Sequence, residues 1–320
     1  MKIQNSCLRI CCGSMSSSSI KSLQAASEEM PLHIRHLLKC LTYRCHLLSY
    51  SIIDHPAHSI IKDSWQEIYP DSVRFKSFNM LTKSSIFQQF KIKPRITSSL
   101  PYWNYDCPHV DLTLAETLNK DVSPDVVRLT LTEHLEHYYP NYLIIFTDRS
   151  KNENGCGSAF FVPSRSVERS YPLPQLSSSY NAELNAILQS LKWVNAQCNA
   201  YETVILSDCQ SALQSIEACT DSSNEFVVDI KSSYFQTIAM GKRVTFLWIP
   251  GHKDIPGNER VDLLAKRATI SPTSAACMNI EENEAKSLLS DVCHRKWDTE
   301  YIQSEDTNHF KMFHPELPII

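Results

Sequence analysis

Asn141–Asp148 reads NYLIIFTD, an apolar run that ends on a carboxylate. Leu143, Ile144, Ile145 and Phe146 are apolar at successive positions, so the strand they form must be covered on both faces, as at the centre of a helix-flanked sheet. An acid at the mouth of such a strand loses hydration, and a cation, a hydrogen-bond network or a metal has to compensate its charge. Glu183, Asp208 and Asp262 are further acids of the same kind, each placed at or near the end of a predicted strand or helix.

The stretch downstream has a regular grammar. Asn154-Gly155 predicts a hairpin turn, Cys156–Val162 a second strand and Val167–Tyr171 a third. Ser178 and Ser179 cap a helix over Asn181–Val194, Thr203–Leu206 is a fourth strand ending at Asp208, and helices follow over Gln210–Ile216 and Phe226–Met240. Val244–Ile249 is the fifth strand, and the loop PGHKDIPGNE leads into a helix over Glu259–Ala268. Three antiparallel strands followed by alternating helices and strands predict an α/β domain with a five-stranded mixed sheet flanked by helices.

Upstream the pattern weakens. Residues 1–30 are Ser-rich, with four serines in a row at Ser16–Ser19, and are expected to be a disordered tail. PLHIRHLLKCLTYRCHLLS, from Pro31, predicts an amphipathic helix with a basic face, read as a solvated surface rather than a phosphate site. Residues 51–120 carry Pro56, Pro70, Pro94, Pro101 and Pro108 and are expected to be a loose connection with one short helix near Ile86–Phe90. Ser123-Pro124-Asp125 opens a helix with Val127, Leu131, Leu135 and Tyr138 on one face; His134 and His137 lie on it without an evident third metal ligand.

Composition narrows the classes. The chain has 320 residues and a net charge of −4, and residues 141–270 carry 12 basic and 13 acidic groups, so bulk charge does not mark a nucleic-acid binder. The 12 cysteines include no C-x-x-C pair or finger-like His/Cys spacing, which favours reduced thiols in an intracellular protein. No apolar run reaches the about 18 residues of a membrane span, and the N-terminus lacks a signal-peptide core, so the expectation is a soluble, non-secreted protein without membrane contact.

Four carboxylates drawn together repel one another unless a divalent cation neutralises them, and an all-oxygen set suits Mg²⁺, with Mn²⁺ as a substitute. Two such ions about 4 Å apart can activate a water and stabilise the leaving oxygen of a phosphodiester. His252, in the glycine-flanked loop next to Asp262, has the near-neutral titration range suited to moving protons or loosening a departing product.

FTDRS around Asp148, NAEL around Glu183, LSDCQSAL around Asp208 and WIPGHKDIPGNERVDLLAK around His252 and Asp262 resemble the type 1 ribonuclease H domain. The motifs run in order from Tyr142 to Arg267, with 35, 25 and 54 residues between successive acids. The resemblance implies a ribonuclease H-like fold and endonucleolytic cutting of the RNA strand of an RNA–DNA hybrid, with no small-molecule cofactor. Asp148, Glu183, Asp208 and Asp262 match the metal-binding carboxylates of that family, and His252 its mobile histidine. Ser150, Ser179 and Asn258 are candidates for contact with the hybrid. Arg149 stands where glycine is usual, and Asp254 replaces a glycine common two residues after the histidine.

The wording of these motifs, together with PLHIRHLLKCLTYRCHLL, is similar to the region after the polymerase in arthropod non-LTR retrotransposon polyproteins, and no Y-x-D-D-like polymerase signature is present. The expected organisation is therefore a tail at 1–30, a helical and irregular connection at 31–140, the ribonuclease H domain at 141–270 and an acidic extension at 271–320. A module that keeps the fold and binds nucleic acid or a protein partner without cutting is the alternative; the intact acids favour the enzyme.

Overall fold

A computed structural model describes residues 2–50, 87, 90–94, 107–118, 122–218, 224–270, 278–304 and 312. The chain divides into two compact units, one built from residues 1–94 and 279–320 and the other from residues 95–278. The first begins with helices α1 (Lys2–Cys11), α2 (Ile20–Ala26) and α3 (Leu32–Ser49), followed by strand β1 (Phe90–Ile92). The Ser-rich start, expected to be disordered, is thus helical over α1 and α2. The Ser19 side chain accepts from Ser22 N at the head of α2, and Leu8, Leu23, Ala25 and Met30 are buried. In α1 the apolar Ile3, Cys7, Leu8 and Cys11 recur at helical spacing, a period that the serine content of the stretch obscures. The helix expected near Ile86–Phe90 falls mostly outside the described residues, and Phe90 opens β1 instead.

The second unit contains β2 (His109–Asp111), α4 (Thr113–Thr117), α5 (Pro124–Tyr138), β3 (Leu143–Asn152), β4 (Gly155–Val162), β5 (Val167–Leu173), α6 (Ser179–Gln197), β6 (Glu202–Ser207), α7 (Gln210–Glu217), α8 (Glu225–Ala239), β7 (Arg243–Trp248) and α9 (Pro256–Ala268). Its sheet has the order β2-β7-β6-β3-β4-β5, so β3 is central, parallel to β6 and antiparallel to β4. The sheet therefore has six strands rather than the expected five. The addition, β2, runs parallel to β7 with Val110 opposite Phe246; three residues in a proline-rich stretch are too few to show a period.

Both faces of the sheet are covered, as the apolar run in β3 requires. Ile145, Phe160, Ile205 and Phe246 pack with Leu184, Ile187, Leu191, Val227 and Ile230 on one face. Phe146, Ala159, Val204, Leu206 and Leu247 pack with Leu131, Val261, Leu264 and Ala265 on the other. Burying each such aliphatic or aromatic side chain contributes about 1.5–3 kcal/mol. The approach of α9 is close: a β-carbon on Gly257 would lie 2.2 Å from the Phe146 ring, so only glycine fits there. The β3–β4 hairpin turns on Glu153-Asn154, one residue earlier than expected, because Asn152 Oδ1 accepts from both Asn154 N and Gly155 N and Asn152 pairs with Gly155.

In α5 the buried side is Val127, Leu131 and His134, while Tyr138, expected to face inward, is 61% exposed. His134 is not a metal ligand in waiting: its Nε2 lies 2.8 Å from Asp111 Oδ2, which also accepts from the Tyr139 hydroxyl at 2.7 Å. Burial works to raise the Asp111 carboxyl, but hydrogen bonds from Thr113, Tyr139 and His134 outweigh it and hold the group down at about 2.

The chain returns to the first unit through β8 (Met278–Ile280), paired with β1, and α10 (Glu282–Ile302), whose start carries a reciprocal capping box between Glu281 and Glu284. Helix α10 packs along α3. Glu282 takes His46 Nδ1 at 3.0 Å and the Ser49 hydroxyl at 2.7 Å, and His33 Nε2 meets Glu300 Oε2 at 3.0 Å. Two histidines of the face expected to be solvated, His33 and His46, are thus held by acids of α10. Nine cysteines among the described residues form no disulfide; Cys107 departs from the expectation of reduced thiols and is disulfide-bonded. No described helix is long and apolar enough to cross a membrane.

Candidate metal centre

Strand pairing brings the first two acids together. The β3–β6 ladder pairs Phe146 with Leu206, so the same register carried two residues further sets Asp148 beside Asp208, where β6 has ended. The Thr147 hydroxyl donates to Leu206 O at 2.9 Å and Trp248 Nε1 donates to Asp208 O at 3.2 Å, which fixes both strand ends. Helix α6 starts at Ser179, because the Ser178 side chain accepts from Asn181 N, and this places Glu183 fully buried over the same point. One ligand oxygen from each of Asp148, Glu183 and Asp208 lies within 4.8 Å of the others.

The remaining hydrogen bonds leave this cluster short of partners. Glu183 Oε1 accepts from the Ser207 hydroxyl at 2.6 Å, whereas Glu183 Oε2 is buried with no hydrogen-bond partner. Asp148 Oδ1 accepts from Arg149 N at 2.7 Å. Burial, followed by the charges of Glu183 and Asp208, pushes the Asp148 carboxyl well above the usual carboxylate range. Glu183 is raised by burial and by Asp208, and Asp208 by burial against the lowering pull of Arg149 and His252. Three acids raised together, one presenting an orphaned oxygen, form a donor set that fits a hard divalent cation.

Asp262 lies outside the trio. It sits on α9 in an ion pair with Lys266, yet its charge raises both Asp148 and Asp208. His252 is exposed, in a loop whose entry is governed by Gly251, where a β-carbon would stand 2.5 Å from Asp208 Oδ2. His252 and Asp254 both have left-handed backbone, with φ of 55° and 52°; glycine adopts that conformation without strain, which is the physical sense of the glycine usual at position 254. Arg128 Nη1 donates to Asp254 O at 3.3 Å and Lys253 Nζ to Val122 O at 2.9 Å, tying the loop down. Ser150 and Ser179 are half-buried near the cluster's two framing elements. Asn258 is 4% exposed in the first turn of α9. Sequence reasoning missed Ser207 and Trp248, which orient the acids; Ser207 is adjacent to Asp208 but carries no spacing signal.

Raised carboxyls carry a linkage consequence. A group with a folded-state pKa above its unfolded value contributes stability below the unfolded pKa and loses it as pH rises through the folded one. The metal-free protein is therefore expected to melt at progressively lower temperature as pH rises from about 4 through neutrality. Saturating Mg²⁺ should restore most of the loss at the upper end. Melts that stay flat or climb across this window without metal would contradict the charge assignment of the trio.

The RNase H family matches residues 140–270, so this stretch is an RNase H domain, with the RNase H-like fold in its mixed sheet and flanking helices. Among solved structures, the N-terminal RNase H domain of Rv2228c from Mycobacterium tuberculosis, fused to maltose-binding protein, is 16% identical, with 40% of this chain and 98% of that one covered and a TM-score of 0.32. LC11-RNase H1 in complex with an RNA/DNA hybrid is 17% identical, with 39% and 98% covered and a TM-score of 0.31. The prototype foamy virus protease–reverse transcriptase is 17% identical, with 41% of this chain and 21% of that one covered and a TM-score of 0.32.

Proposed function

We propose that the domain is a type 1 ribonuclease H: a Mg²⁺-dependent endonuclease that hydrolyses the RNA strand of RNA–DNA hybrids by a two-metal mechanism. The observation that carries this reading is the meeting of Asp148, Glu183 and Asp208 from three separate elements within 4.8 Å of one another. Asp148, Glu183 and Asp208, joined by Asp262, would hold the cations. Bound divalent ions supply Lewis acidity, generating the nucleophilic water and neutralising charge at the scissile phosphate. Ser207 holds Glu183 in one orientation through Oε1 and leaves Oε2 as the ligand. His252, exposed beside Asp208, moves a proton or eases product departure. Ser150 and Ser179, half-buried on the strand and helix that carry Asp148 and Glu183, are the side chains we assign to reading 2′-hydroxyls of the RNA strand across a shallow minor groove. The motif wording and the segment around α3 support an origin in a non-LTR retrotransposon polyprotein of arthropod type.

Purified protein with Mg²⁺ is expected to cut the RNA of a labelled hybrid and to spare duplex DNA and single-stranded RNA at matched salt. Equal cutting of all three, or cutting undiminished by chelation, would refute the assignment.

A further inference from the structure

Arg149, directly after Asp148, is a cation inside a site built for cations. Its Nε lies 3.9 Å from Glu183 Oε2, and both atoms are buried without a hydrogen-bond partner. That separation is too long for a hydrogen bond and well within Coulomb reach. The other oxygen of Glu183 is committed to Ser207, so the one atom of Glu183 free to bind metal is the atom the guanidinium faces. The positive charge of Arg149 acts on Glu183 and on Asp208; at Asp208 the charge of His252 acts in the same sense and that of Asp262 against it.

We propose that Arg149 is the resident counter-ion of the acid cluster, and that a divalent cation must displace its guanidinium from Glu183 to bind there. The arrangement stabilises the metal-free fold and weakens metal binding, so Arg149 is a positioning residue that sets how much free Mg²⁺ the site needs. The side chain is 36% exposed, which gives it an outward path when metal arrives. Glycine at this position, usual in the resembling family, leaves the acids to the metal alone. The proposal rests on the ribonuclease reading and adds to it a competitor carried by the chain itself.

The test is calorimetric titration of MgCl₂ and MnCl₂ into metal-free wild type, Arg149→Gln and Arg149→Lys, with thermal melts of each protein before metal is added. Arg149→Gln keeps the length of the side chain and removes its charge. It is expected to bind both ions at least ~10-fold more tightly and to melt at lower temperature without metal. Arg149→Lys retains a positive charge and is expected to bind within about 3-fold of wild type. Unchanged or weaker metal binding by Arg149→Gln would overturn the counter-ion role, as would a metal-free melt that does not fall. Should wild type bind metal and cut hybrid while Arg149→Gln shows the same affinity, the counter-ion role alone fails. If every folded variant ignores both ions and no hybrid is cut, the ribonuclease reading falls with it.

Discussion

Asp148→Asn is expected to lower Mg²⁺-dependent hybrid cleavage about a thousandfold, equivalent to roughly 4 kcal/mol of barrier. The amide keeps the shape of the side chain and its acceptance of the Arg149 backbone N–H, but it cannot supply the charge that holds a hard cation. The substitution also removes a buried carboxylate that burial, Glu183 and Asp208 all disfavour. The metal-free variant should therefore melt at higher temperature than wild type at neutral pH. These opposite movements of activity and stability distinguish a ligand from a residue that supports the fold, whose loss would lower both. Cleavage at the wild-type rate would remove Asp148 from the metal centre.

Gly251→Ala is expected to be the most damaging change outside the acids. The added β-carbon would lie 2.5 Å from Asp208 Oδ2, so either the carboxylate or the His252 loop has to move. The loop is fastened by Arg128 and Lys253, and the Asp208 backbone by Trp248, which leaves the carboxylate to give way. A displacement of about 1 Å at such a group can reduce the rate on the order of 100-fold. Metal affinity should weaken in parallel while circular dichroism stays unchanged. Retention of wild-type kcat/KM would show that the loop yields instead and that its position against Asp208 is immaterial to turnover.

The central strand was legible because an unbroken apolar run has few places to go in a folded chain, and both of its faces are indeed covered. The acids were legible because they stand where strands stop or a helix begins, positions visible in the alternation of the pattern. What escaped was of two physical kinds. Short elements such as β2 and the seven-residue α2 have no period to read, and the period of α1 spans only ten residues in a serine-rich stretch. The second kind concerns atoms rather than positions. Ser207 matters because its hydroxyl consumes one oxygen of Glu183, and Gly251 because a missing methyl lets a loop pass a carboxylate. Neither fact has a signature in spacing. Asp262 shows the converse: its position is readable, and so is the i,i+4 spacing that pairs it with Lys266 on one turn of α9. Arg149 was conspicuous as a departure from glycine, but the sequence could not tell whether the side chain points toward substrate or into the acids.

The pairing of α3 with α10 has a consequence in time. His46 and Glu282 are 236 residues apart, and His33 and Glu300 are 267 apart. During synthesis at about 5–20 residues per second, α3 therefore emerges well before the helix that covers it, a gap on the order of ten seconds to a minute. The unit at 95–278 is complete in that interval, while α3, whose Ile34, Leu41, Cys45 and Leu47 end up buried, still lacks the helix that packs along it. A nascent chain of this kind offers chaperones the apolar side of an amphipathic helix early and withdraws it late, and a ribosome stalled before residue 282 would display that side continuously.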